Sequence, residues 1–340
     1  MRYIGGKTLI MDKILETIKE NTTDVKKIID AFSGSGICAT TFKKNGYKTI
    51  SNDFLYFSYV LNRGTIDLKT SPTFSSLGFD PIDYLNNLTI DKTSIDKKDC
   101  FIYQNYSLHD ECKRMYFQEK NALKIDIIRI TIEEWYKELK ITEDEYFYLL
   151  ACLINAVPFI SNITGVYGAY LKKWDVRTYN DLELKAPTII KGKKCKSYNL
   201  PVNDMLKKEK ADLLYADPPY NERQYLPNYH VLETIAKYDN PTIKGVTGMR
   251  EYSSQKSEFC MKSKVKNAFE DLIKNANVKY VIISYNNESL LSTEELSNIC
   301  KKYAKKDTFK LIEFNYRRYK SKDIEDKEIC EQLYFFEKEI

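Results

Sequence analysis

Residues 25–53 constrain the fold more tightly than any other stretch of this chain. Val25-Lys-Lys-Ile-Ile-Asp-Ala31 reads as a buried strand, and Phe32-Ser-Gly-Ser-Gly36 breaks it. Residues 37–45 carry a helical pattern stopped by Asn45-Gly46; Tyr47-Lys-Thr-Ile-Ser-Asn-Asp53 then alternates as a second strand ending in an acid. Strand, glycine-rich turn, helix and strand make a βαβ unit with its crossover. Glycines let the backbone turn sharply and approach a bound nucleoside. An acid at the tip of the second strand stands where ribose hydroxyls need an acceptor. Two other readings share these residues. One is a structural turn with an exposed Asp53; the other is a nicotinamide site, because Gly34-x-Gly36-x-x-Ala39 also fits the dinucleotide fingerprint.

The rest of the chain is organised around that unit. Residues 8–20 place apolar side chains at 10, 11, 14, 15 and 18, one stripe of a helix. From about 67 to 195 helical patterns dominate: Ile125, Ile128, Ile132, Trp135 and Leu139 recur at helical spacing and read as core, and another helix spans 143–156. Residues 159–171, with Gly165 and Gly168 between alternating side chains, read as a hairpin. The α/β texture returns at 196–206, 211–216 and 278–284, and 308–314 with 332–336 form a closing antiparallel pair. The expectation is an α/β fold in which 1–66 and 196–340 build one sheet domain and 67–195 is an inserted, mainly helical module.

Composition excludes more than it identifies. With 340 residues, 43% apolar and 30% charged, this is ordinary globular material. No apolar run approaches the ~18 to 20 residues of a spanning helix, and residues 1–7 show no secretory pattern. Eight cysteines without a CxxC pair argue against zinc-finger and thioredoxin-type sites and suit a reducing, cytoplasmic compartment. Two histidines leave little for a His-ligated metal, and none is expected. The net charge of +5 is too mild to identify a nucleic-acid binder. The 27 tyrosines and 16 phenylalanines among basic residues suit a groove that stacks bases, although AT-rich codon usage produces the same bias.

Chemistry is carried by Leu213-Leu-Tyr-Ala-Asp217-Pro-Pro-Tyr220, an apolar strand ending in an acid, two prolines and an aromatic. Pro218 and Pro219 fix the backbone and lack N–H groups, which leaves nearby carbonyls free to accept. The Asp217 carboxylate and the Pro218 carbonyl can each take one hydrogen of an exocyclic amine. That draws the nitrogen lone pair out of conjugation and aims it at an electrophile. Tyr220 can stack on the base.

Together, Phe32-Ser-Gly-Ser-Gly36 and Asp217-Pro-Pro-Tyr220 resemble the S-adenosylmethionine-dependent amino-methyltransferases of DNA, specifically the adenine-N6 enzymes. The opening Arg2-Tyr3-Ile-Gly5-Gly6-Lys7 is similar to the N-terminal cofactor motif of the Dam-like, alpha-order group. The stretches 221–233 and 280–288 resemble the type II restriction–modification branch. The implied fold is a Rossmann-like methyltransferase sheet with a mainly helical inserted DNA-recognition module and a hairpin. The implied roles put Tyr3 and Lys7 beside the cofactor's methionine carboxylate, and Asp30, Gly34 and the Gly36 turn by its amino-acid portion. Phe32 lies near the sulfonium, Asp53 on the ribose and Phe54 against the adenine. Asp204 either approaches the cofactor's base or caps a helix.

The resemblance implies base flipping, double-stranded DNA as partner, and a separately encoded restriction endonuclease beside it. Asn162, Thr164 and Tyr167 sit in the hairpin these enzymes lay against DNA, and Lys172, Lys173 and Arg177 follow as phosphate contacts. A second reading surface is the 245–256 loop with Arg250, Gln255 and Lys256. Arg223 and Gln224 either touch the flipped nucleotide or its neighbours, or form a salt bridge. His230 reads as packing and His109 as a surface residue. Two dissimilar reading surfaces and no spare apolar stripe lead to the expectation of a monomer. The alternatives are an N4-cytosine methyltransferase, a non-catalytic nucleotide-binding module, and a methyltransferase of RNA or of protein glutamine.

Overall fold

The computed structural model describes residues 5–315 and 330–339. Its strands are β1 (Lys27–Asp30), β2 (Lys48–Asn52), β3 (Lys196–Tyr198), β4 (Leu213–Ala216), β5 (Ile243–Lys244), β6 (Met249–Arg250), β7 (Tyr280–Asn286), β8 (Lys310–Asn315) and β9 (Cys330–Glu337). The helices longer than one turn are α1 (Met11–Asn21), α2 (Ile37–Lys44), α3 (Tyr56–Arg63), α4 (Pro81–Asn87), α5 (Phe101–Tyr106), α6 (Glu119–Lys137), α7 (Glu143–Ala156), α8 (Val202–Leu206), α9 (Leu226–Lys237), α10 (Val265–Asn275) and α11 (Thr293–Tyr303).

Seven strands form one sheet in the order β3-β2-β1-β4-β7-β9-β8, parallel from β3 to β7. β9 then enters antiparallel between β7 and β8. Side chains alternate across the pleat, so each strand feeds both faces. Ile28, Leu213, Tyr215 and Ile282 pack with α1 and Phe42 of α2, whereas Ile29, Leu214, Val281 and Ile283 pack with α8, α10 and α11. Burial on both faces explains why these strands read as unbroken apolar runs.

The insertion adds a third core without closing it off. Ile125, Ile128 and Ile132 of α6 and Leu149, Leu150 and Leu153 of α7 share one cluster with Phe57 and Val60 of α3 and with Val231 and Leu232 of α9. A capping box, Thr142 with Glu145, starts α7. After α3, Gly64 lets the chain touch α7 directly, because a Cβ there would lie 2.2 Å from the Phe147 carbonyl oxygen.

Two local expectations are corrected. Leu139 does not extend the α6 stripe: the helix ends at Lys137, and Leu139 is exposed with φ +57°. Residues 159–171 form no hairpin. The Asn162 amide donates to the carbonyls of Met115 and Leu171 and accepts from the Asp175 N–H, and Tyr167 folds inward with its hydroxyl on Ser161. Side-chain bonds to backbone replace the ladder that alternation suggested. A short antiparallel pair, β5 with β6, lies instead in the 245–256 neighbourhood.

Candidate active site

The carboxyl ends of β1, β2 and β4 open into a cavity of about 100 Å³, partly open to solvent. β1 and β4 are neighbours in the sheet while the chain leaves them in opposite directions, which is where such sheets bind ligands. Phe32 and Gly34 line the cavity from the turn after β1, Asp53 and Phe54 from the end of β2, and Asp217 and Pro219 from the end of β4. Gly36 has φ +80°, and a Cβ there would stand 2.9 Å from Asn62 Oδ1. The turn is therefore closed to any larger side chain.

Three carboxyl groups surround this space. Asp53 fixes the turn, accepting from the Gly34 N–H at 2.7 Å and the Leu55 N–H at 2.9 Å. Burial raises its pKa to about 6, against the pull of those backbone bonds. Asp30 ends β1 behind the cavity lining, fully buried, and the Ser33 side chain and the Ala39 N–H only partly offset the loss of water around its carboxyl. Burial, with the nearby Asp217 carboxylate adding to it, raises Asp30 to about 8. An acidic floor, a glycine cradle and the apolar walls of Phe32, Ile37 and Phe54 fit a cationic adenosine cofactor such as S-adenosylmethionine.

Asp217 follows β4 and is held asymmetrically. Its Oδ1 accepts from the Tyr220 hydroxyl at 2.5 Å and lies 3.2 Å from the Lys7 ammonium. Its Oδ2 has no partner among the described residues, and the side chain remains 15% exposed toward the cavity. No donor reaches the Pro218 carbonyl among the described residues either. Both acceptors are unclaimed, although Pro218 is buried and only Asp217 and Pro219 of this turn line the cavity. Burial lifts Asp217 to about 6, with Lys7 working against it and Glu331 for it. Burial alone opposes the Lys7 charge, but Asp217 and Glu331 together hold its pKa above the ordinary lysine value.

Several expected site residues stand elsewhere. Tyr3 lies outside the described residues. Lys7 does line the cavity, yet its ammonium is committed to Asp217, Glu331 and Tyr220. Tyr220 is only 9% exposed, packs edge-on to Tyr285 and presents no open ring face to a base. Asp204 neither caps α8, whose N-cap is Pro201, nor lines the cavity; it is 55% exposed beside Lys207.

The expected DNA contacts divide in the same way. Asn162 and Tyr167 are buried scaffold. Arg250 is buried on Asp239, and Arg177 is bidentate on Asp175. Gln224 forms no salt bridge; it exchanges both its amide bonds with the backbone of Ser257. Gln255 bonds the Phe54 carbonyl, Glu233 and Lys237 and lines the cofactor cavity. Thr164, Lys172, Lys173, Arg223 and Lys256 are exposed. His230 is buried, with its Nε2 2.9 Å from the Tyr167 carbonyl; burial pushes its pKa to about 4.

Sequence reasoning missed Glu331. It sits second in β9, buried, accepting from Ser284 at 2.8 Å and from Lys7, with the Tyr220 oxygen 3.2 Å away. An acid opening an apolar strand, Cys330-Glu-Gln-Leu-Tyr-Phe-Phe, was the available signal. Glu233, buried within the apolar pattern of α9, was missed too; it caps α3 through the N–H groups of Tyr56 and Phe57.

Comparison with known proteins agrees with this geometry. The chain is 44% identical over its whole length to type II methyltransferase M.FokI of Planomicrobium okeanokoites, covering 53% of that protein. It is 41% identical over 99% of its length to modification methylase StsI of Streptococcus sanguinis, covering 52%. The chain thus spans about half the length of these two relatives. Against type II methyltransferase M.NlaIII of Neisseria lactamica the identity is 38%, over 96% of this chain and 95% of the relative. Residues 3–299 match the family model directly, and the chain belongs to the D12 class N6 adenine-specific DNA methyltransferase family.

Proposed function

We propose that this protein transfers a methyl group from S-adenosylmethionine to the N6 amine of an adenine in double-stranded DNA. The proposal rests above all on Asp217: one carboxylate oxygen is anchored, the other is free, and the Pro218 carbonyl is unclaimed beside it. When bound, the cofactor supplies an electrophilic methyl on a sulfonium. Phe32 and Phe54 would wall its site, Asp53 would accept from ribose hydroxyls, and Asp217 would place negative charge beside the cation. The Asp217 Oδ2 and the Pro218 carbonyl accept the two amine hydrogens and direct the lone pair toward the methyl. Alignment and electrostatic handling of the amine supply most of the acceleration.

The adenine reaches this site by leaving the stack, at a cost of a few kcal/mol that phosphate contacts offset. The exposed cations Lys172, Lys173, Arg223 and Lys256 suit those contacts, and Thr164 lies among them as a candidate base reader. The 67–195 insertion is the target-recognition module of a monomer. The protein is the cytoplasmic modification half of a restriction–modification system whose endonuclease is separate. No helix among the described residues is long and apolar enough to cross a membrane.

The test is incubation with radiolabelled S-adenosylmethionine and plasmid DNA, followed by digestion to nucleosides. Label in N6-methyl-2′-deoxyadenosine is expected, confined to one sequence context when separate restriction fragments of the plasmid are counted before digestion. Label in N4-methylcytosine, or none in DNA, refutes the proposal.

A further inference from the structure

We propose that Glu331 is a positioning residue for methyl transfer, holding Lys7, and through it the Tyr220 oxygen, so that one oxygen of Asp217 is anchored and the other is left to the target amine. This rests on the methyltransferase reading above.

Glu331 reaches the site from behind. It stands on β9 opposite Asn286 of β7 and does not line the cavity. Its Oε1 collects two donors, Ser284 Oγ at 2.8 Å and the Lys7 ammonium, and the Tyr220 oxygen stands 3.2 Å away. Proton counting then fixes the network. The three N–H groups of Lys7 meet three acceptors: Asp217, Glu331 and the Tyr220 oxygen. Tyr220 has one proton, and at 2.5 Å against 3.2 Å it goes to Asp217. Both donors to Asp217 therefore converge on Oδ1.

The charge of Glu331 matters as much as its geometry. Two carboxylates share one ammonium. Remove the Glu331 charge and Lys7 is drawn wholly onto Asp217, where it competes with the amine for the free oxygen and weakens the carboxylate as an acceptor. Ser284 and the sheet hold Glu331 in place, so rigid strands, not a loop, set the Asp217 orientation.

The experiment compares wild type, Glu331→Gln and Glu331→Asp in turnover on DNA, cofactor affinity by calorimetry, and the pH dependence of kcat. Glu331→Gln should lose about 100-fold in kcat, the scale expected for a misplaced reacting group, while cofactor affinity and melting temperature stay near wild type. Its acid limb should move to lower pH. Asp217 faces Lys7, Glu331, Tyr220, Asp30, Tyr215 and Cys38, and of these Glu331 raises its pKa while Lys7 lowers it. Glu331→Asp keeps the charge and should return the acid limb to its wild-type position.

If Glu331→Gln melts far below wild type, Ser284→Ala is read instead. It removes the 2.8 Å bond and no charge. A roughly fivefold loss of kcat, about one hydrogen bond's worth, with cofactor affinity kept supports the role; unchanged kcat overturns it. A wild type that labels no DNA refutes the methyltransferase reading and this inference with it. A wild type that methylates beside a Glu331→Gln protein with the same kcat and acid limb refutes this inference alone.

Discussion

Replacing Asp30 with Asn should flatten the pH dependence of folding stability. Asp30 is fully buried, and burial, joined by the Asp217 and Asp53 carboxylates, raises its pKa from 3.8 to about 8. A native pKa above the unfolded one means that the folded protein keeps a proton the unfolded chain releases. Stability is then greatest below the unfolded value and falls as pH rises toward the folded one. At about 1.4 kcal/mol per pKa unit, the loss between about pH 5 and about pH 7.5 comes to roughly 3 kcal/mol. Asn cannot titrate, so the variant should not show that portion. Asp53, Asp126 and Asp217 also have raised values, but both proteins carry them and their contributions largely cancel in the difference. Urea unfolding of both proteins at the two pH values gives the comparison. Curves that run parallel to within about 1 kcal/mol would refute the reasoning, because a carboxyl so deeply buried with no cation beside it must be linked to protons.

Asp53→Ala should weaken cofactor binding while the sheet stays folded; calorimetry with unchanged affinity would remove it from the site. Asp217→Ala should abolish transfer and retain the cofactor, and wild-type kcat/KM should fall as pH drops below about 6, where Asp217 takes up a proton; near-normal turnover of the variant would end its catalytic assignment. Arg250→Ala should lower stability by about 1–3 kcal/mol by removing its pair with Asp239, with sequence preference intact; altered preference at unchanged stability would restore it as a reader. Lys172→Ala and Lys173→Ala should weaken DNA binding equally on all sequences and lower the salt slope by about 1 for each phosphate no longer neutralised, and an unchanged slope would take them off the DNA path.

The parts of this molecule that follow a local period were legible. The βαβ unit, the closing strand pair and most of the α6 stripe follow from alternation or helical spacing, and Asp217 and Asp53 were recognisable as acids at strand ends. The misreadings concern polar side chains whose partners lie far away in sequence. Asn162 looked like a base reader because its bonds to Met115 and Leu171 leave no periodic trace. Arg250 and Gln255 looked available because Asp239 and Glu233 reach them only after folding. Tyr220 sits beside a catalytic acid, and nothing local says that its ring turns inward to Tyr285. Glu331 was invisible for the same reason: its significance depends on Lys7.

Lys7 and Glu331 are separated by 324 positions, and that distance sets when the proposed reacting site is complete. Closing so long a loop is among the slowest events of folding, and β9 must also slot between β7 and β8 before Glu331 arrives. The cofactor turn, by contrast, needs only residues 27–53 and can form early. A partly folded chain can therefore hold the turn of the proposed cofactor site while the rest of the cavity and the Asp217 carboxylate are still unformed. Under the proposed function, methyl transfer during refolding should recover in the last kinetic phase, after cofactor binding, so that only completed molecules would mark DNA.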